Sequence, residues 1–141
     1  MNKLVFDSSA ILAIYYNEPG KKKVRSLLDR SEPLISSVNL SEVFTKLLEG
    51  GLDADSVLES FTGLEIEVRG FDEAHAMRAA ALWNDTKKLG LSFGDRACLA
   101  LAIHENVAAV TADKNWAKLN VCRIEVIRQC AGAVYPSLAR I

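Results

Sequence analysis

Apolar residues fall in two rhythms along this chain. Short unbroken runs, "KLVF" (3–6), "PLISS" (33–37), "VAAVTA" (107–112) and "RIEVI" (123–127), have the length of buried strands, and "LEIEVRG" (64–70) alternates as a strand does. Helical spacing governs the segments between them. "SSAILAIYYNE" predicts a helix ended by Pro19-Gly20, and "KKKVRSLLDR" (21–30) a second with Val24, Leu27 and Leu28 on one face. "NLSEVFTKLLEGG" (39–51) predicts a helix closed by its two glycines, and another begins at Asp53. One long Ala-rich helix is expected over 72–90, stopped at Gly90, then "LSFGDRACLALA" (91–102) and a short helix over 113–119. Strands alternating with helices predict an α/β domain spanning 1–141, a central parallel sheet of about four to five strands with helices on both faces. The tail after Gln129 carries no assignment.

Sheets of this kind bind ligands beyond the carboxyl ends of their strands. Asp7 directly follows the first strand, Glu42 lies in the first turn expected after the second, and Asp113 follows "VAAVT". The rule places these three at one rim. Asp95 opens a helix with no strand immediately before it, so the rule does not place it. Each acid also has a local explanation. Asn39-x-x-Glu42 and Ser92-x-x-Asp95 match capping boxes, and Asp7 and Asp113 stand where an N-cap carboxylate meets orphan backbone donors. Together the acids say more: three or four carboxylates on one rim repel one another unless a cation sits among them. Hard oxygen ligands of this kind suit magnesium or manganese.

The blocks "VFDSSAILAIYYNEPG", "NLSEVFTKL", "LSFGDRACLALA" and "VTADKNW" resemble, in order and spacing, the four motif blocks of PIN-domain ribonucleases, and most of all the VapC-type toxins of bacterial toxin–antitoxin pairs. The resemblance runs from Lys3 to about Ile127. It implies a PIN-like fold and a metal-binding acidic centre of Asp7, Glu42, Asp95 and Asp113, placing Asp95 at the rim with the others. It implies catalysis by one or two Mg2+ or Mn2+ ions, with Asp7, Asp95 and Asp113 as ligands and Glu42 orienting water or ligating. Ser8 matches the hydroxyl residue beside the first acid, and Thr111 the Thr of the T-x-D block. Many relatives carry a further acid where this chain has Asn115. Trp116 stands where relatives often have Phe, and is expected in the core. An RNA substrate, a cognate antitoxin protein and a homodimer are the partners implied.

Composition narrows the picture further. Half the 141 residues are hydrophobic and a quarter charged, and the formal net charge of -1 excludes the strongly basic footprint of a dedicated nucleic-acid binder. No apolar run is long enough to span a membrane, and Asp7 interrupts the only stretch resembling a signal peptide. Cys98, Cys122 and Cys130 lack paired spacing, which fits reduced thiols in the cytoplasm. His75 and His104 have no partner at zinc-ligand spacing. Lys21, Lys22, Lys23 and Arg25 form the densest basic cluster, with Arg96, Lys114 and Lys118 nearer the acids. Such a run is either a solvated helix face or help for an approaching RNA. Arg96 has three readings: a phosphate contact, an ion pair with an acid, or a partner contact. Leu12, Ile14, Tyr15 and Tyr16 give the first helix more apolar surface than one core face needs, and Trp83 reads as core or dimer contact. A phosphatase wants D-x-D after the first strand, where Asp7-Ser8-Ser9 stands, and a receiver wants an acid where Arg69 ends the third. The remaining alternative is a non-catalytic PIN-like module that binds RNA or protein.

Overall fold

Five short strands, β1 (Lys3–Phe6), β2 (Glu32–Ser36), β3 (Glu67–Arg69), β4 (Ala108–Thr111) and β5 (Ile124–Val126), form one all-parallel sheet in the computed structural model, which describes residues 1–128. The order is β3-β2-β1-β4-β5. Central β1 pairs Val5 with Leu34 of β2 on one side and Ala109 of β4 on the other. The chain builds outward from β1 to β3, then returns to place β4 on β1's other flank. That reversal makes a topological switch point between β1 and β4, and a crevice opens at such a point beyond the carboxyl ends.

Alternation along β1 divides the core. Phe6 faces a cluster built with α1 (Ser8–Tyr15), α2 (Lys21–Asp29), α3 (Ser37–Glu49) and α4 (Ala54–Gly63), including Ile11, Val24, Val43 and Phe61. Val5 faces the opposite cluster, with Leu34, Leu99, Leu101 and Trp116, covered by α7 (Phe93–Glu105). Trp116 is fully buried, as expected. The α/β class, the parallel sheet and the two helical layers match the expectation from the sequence.

Three local differences appear. The long helix expected over 72–90 is broken into α5 (Glu73–Ala81), α6 (Trp83–Thr86) and a 3-10 turn (Lys87–Leu89), before Gly90 at φ +68°. Buried Thr86 adds its hydroxyl (2.8 Å) to the Leu82 carbonyl that its own N–H also bonds (3.1 Å), a back-bond of the kind that bends helices. α3 begins at Ser37, because the Ser36 hydroxyl accepts the first-turn amide of Val38 (3.2 Å). Asn39 is therefore inside the helix and caps nothing, and Glu42 lies in its second turn. The segment after Asp113 is a 3-10 turn over Lys114–Lys118. No helix among the described residues is long and apolar enough to cross a membrane. Cys130 and the tail after Gln129 lie outside the described residues.

Candidate acidic centre

Asp7 closes β1 at the switch point, 2% exposed. Its backbone N–H continues the sheet by donating to Val110 (2.8 Å). Its side chain makes no capping bond, so the local explanation fails here. Instead, Oδ2 accepts from the Ser9 hydroxyl (2.6 Å) and the Thr111 hydroxyl (3.1 Å). Those hydroxyls accept in turn from the amides of Ala112 (3.0 Å) and Asp113 (3.1 Å), which aims both their protons at the acid. Among the described residues nothing bonds Oδ1, although it is buried. Burial first, then the charge of Asp95, push the Asp7 carboxyl up to about 7, with Glu42 adding to the rise against the two hydroxyls. A carboxyl so far from its usual range at a topological switch point is a functional-site signal.

Glu42 is held from two sides. Its Oε1 accepts from the Ser8 hydroxyl (3.0 Å) and from the Asn39 amide (2.8 Å). The same fully buried Asn39 Nδ2 also donates to the carbonyl of Gly94 (3.0 Å), tying α3 to the start of α7. Both partners are acceptors, which sets the amide's orientation. Gly94 is required by contact: a Cβ there would collide with the Glu42 carboxylate.

Asp95 and Asp113 do two things at once. Asp95 completes the capping box of α7: its Oδ2 accepts from Ser92 N–H (2.8 Å), and its own N–H donates to the Ser92 hydroxyl (3.1 Å). Asp113 Oδ1 accepts from Asn115 N–H (2.9 Å). Asp95 is nonetheless raised above the usual carboxylate range, chiefly by burial and also by the charges of Glu42 and Asp113, against the lowering effect of Ser92. Each of the four acids thus has one oxygen tied by hydrogen-bond donors and a second without a hydrogen bond among the described residues. Capping and site are not alternatives, since one carboxylate has an oxygen for each. Asp95→Asn therefore keeps a cap, because an amide oxygen still accepts from Ser92, and is expected to cost at most about 1 kcal/mol in a thermal melt. Cleavage activity should fall steeply in the same preparation. A variant that melts clearly lower yet cuts normally would confine Asp95 to capping.

Of the supporting residues expected from the sequence, Ser8 and Thr111 reach the acids. Arg96 does not: its Nη1 donates to the Ala79 carbonyl of α5 (3.0 Å). Asn115 enters only through its backbone amide. Lys23 is engaged by Glu125 (2.9 Å) and Lys21 by Asn17 (3.1 Å), leaving Lys22 and Arg25 as the exposed pair of that run. Most of the first helix's apolar surface is consumed in the core: Ile14 and Tyr15 are buried, Tyr15 bonding Ser60 (2.9 Å), while Leu12 and Tyr16 are half-buried. Trp83 is 54% exposed and outside the core, with Lys87 over its ring. Ser9, Asn39 and Gly94 also join the centre, although the motif blocks do not mark them for it. Ser9 had one available signal, a second hydroxyl one residue past Ser8.

Whether the residues fit a divalent cation is answered by their oxygens. Four hard oxygens lack hydrogen bonds, one of them buried, and two of the carboxyls are raised, by burial first and then by neighbouring acids. Among the described residues no three acid, imidazole or thiol side chains stand close enough together to hold an ion by themselves. Magnesium suits that arrangement, because it keeps several waters and takes one or two carboxylates rather than an all-protein cage. The residues fit.

A parallel α/β sheet with carboxylates gathered at its switch point defines an α/β protein with an acidic centre at the carboxyl rim. The chain belongs to the PIN domain family, whose model matches residues 4–121. No curated protein matches the sequence. Similar solved structures share the fold. VapBC2 from Rickettsia felis, bound to a DNA fragment from its promoter, is 19% identical over 87% of this chain and 97% of its own, with a TM-score of 0.68. VapBC-1 from nontypeable Haemophilus influenzae is 17% identical over 89% and 98%, TM-score 0.68. VapC20 from Mycobacterium tuberculosis, a sarcin-ricin loop cleaving toxin, is 16% identical over 85% and 98%, TM-score 0.68.

Proposed function

We propose that this chain is a metal-dependent endoribonuclease that hydrolyses RNA phosphodiester bonds, and the toxin component of a toxin–antitoxin pair. The observation that carries the reading is the set of four carboxylates at the switch point, each with one oxygen tied and one open. Asp7, Asp95 and Asp113 would hold the Mg2+ or Mn2+, directly or through its waters. When bound, such an ion neutralises phosphoryl charge and lowers the pKa of a water near it. Glu42, locked through Oε1 by Ser8 and Asn39, keeps Oε2 to orient the attacking water. Ser9 and Thr111 fix the rotamer of Asp7 through Oδ2 and leave Oδ1 open. Neither histidine stands among these groups, so no imidazole is assigned as base.

Membership of the PIN family supports nuclease chemistry, and the VapBC complexes among the similar structures support a cognate antitoxin. A homodimer and a cytoplasmic location belong to the same reading. The test is direct. Purified protein given manganese should cut a total RNA pool, and EDTA should stop it. Induction without an antitoxin should arrest bacterial growth. RNA that binds and stays intact, at full occupancy by manganese, would favour a non-catalytic binding module.

A further inference from the structure

Phe93 is an anomaly at the rim. It opens α7 two residues before Asp95, yet 52% of it is exposed. The ring is not loose. Phe71, which follows β3, packs edge-on against it with centroids 5.5 Å apart and planes at 84°. The Arg96 guanidinium lies over the ring, 6.0 Å from its centroid, and is anchored by its bond to Ala79. Phe71 is pinned in turn by its N–H to the Ser37 hydroxyl (3.0 Å) and by an edge contact with His75. Three elements therefore hold an aromatic ring in place and leave half of it facing water. Solvating a large apolar surface is unfavourable, and a fixed ring kept at that cost is a candidate contact.

Its place along the rim says with what. Positions 93 and 95 are about 200° apart around the helix. The first turn of α7 therefore sends Asp95 toward Glu42 and Asp113, and Phe93 toward Phe71. β3 is two strands from β1, roughly 10 Å at ordinary strand spacing. A single-stranded nucleic acid with one phosphodiester at the acids runs along this rim, and a neighbouring base arrives at the ring. Flat π-faces stacked on fixed aromatics, with a guanidinium behind, are how unpaired bases are held.

We propose that Phe93, backed by Phe71 and Arg96, is the stacking platform for an unpaired base neighbouring the cleaved phosphodiester. The proposal rests on reading the acidic centre as an RNA nuclease, and its test separates the two. Phe93→Ala and Phe93→Leu should raise KM for a single-stranded oligoribonucleotide about tenfold or more with kcat nearly kept, while Phe93→Trp behaves as wild type. Leucine keeps the apolar surface and lacks the π-face, so it distinguishes stacking from simple burial. In the Asp7→Asn background, Phe93→Trp fluorescence should be quenched by the oligoribonucleotide. One abasic substitution in the oligoribonucleotide should abolish that quenching. Quenching without any cleavage by wild type would keep the platform and fail the nuclease. RNA affinity unchanged by Phe93→Ala and Phe93→Leu would overturn the platform. So would a Phe93→Ala variant that loses a subunit from its solution mass while binding RNA normally, since the ring then packs against a second copy.

Discussion

Asp7→Asn is expected to abolish cleavage, by well over the roughly 100-fold that loss of a supporting group around a metal typically costs. It should also change how stability depends on pH. The Asp7 carboxyl lies at about 7 in the folded chain against 3.8 as its ordinary value. The folded state therefore holds a proton that the unfolded state releases. That contribution to stability is complete below pH 4 and is lost as pH rises through about 7. Moving a carboxyl from 3.8 to about 7 corresponds to about 4 kcal/mol, since a tenfold change in proton affinity is worth about 1.4 kcal/mol. Asparagine stays neutral throughout, so the variant should gain several degrees relative to metal-free wild type between pH 4 and pH 8, and be the higher-melting of the two at pH 8. Part of the gain is offset by a buried amide N–H facing the side where Oδ1 had no partner, about 1–3 kcal/mol. Manganese should raise the melting point of wild type at pH 8 and leave the variant nearly unmoved. Melts in EDTA and in manganese at pH 4, 6 and 8 check this, and a variant less stable at every pH would contradict it.

The second large effect is expected at Gly94. Within a helix, Gly→Ala ordinarily stabilises, by up to about 1 kcal/mol in the interior and less in a first turn such as the one that holds Gly94. Here the added Cβ would fall 2.5 Å from Glu42 Cδ and 2.6 Å from Oε1, so something must move. If Glu42 swings away, the donors from Ser8 and Asn39 lose their acceptor. If α7 moves instead, Asp95 moves with it. Either response misplaces an acid by an ångström or so, a displacement that can cost about 100-fold in rate. The expected Gly94→Ala protein is folded, no more stable than wild type, and about 100-fold slower in manganese-dependent RNA cleavage. A stabilised and fully active variant would show that the close approach of α3 to α7 does not matter to function.

Local order was legible from the residues alone. The β1 run stops at Asp7, and the Ser92-x-x-Asp95 box forms as its spacing predicts, because both depend on neighbours within four positions. The same local reading misplaced Asn39, since Ser36 offered a better cap, and joined 72–90 into one helix, where the chain bends after Ala81. It also left Arg96 open between an acid, a phosphate and a partner, and the packing of α5 against α7 directs it to the Ala79 carbonyl.

The sequence by itself determined the α/β alternation and the acids at three strand ends, because strand length, helical period and the carboxyl-edge rule are properties of short segments. Asp95 joined them on the strength of resemblance alone. Tertiary structure decided the rest: that Asp95 couples to Asp7 and Glu42, that Thr111 bonds Asp7 across 104 positions, and that Asn39 reaches Gly94 across 55. Those contacts exist only once the sheet has ordered its strands, with β4 beside β1 and α7 beside α3. A pattern read along the chain has no access to distances set by that assembly.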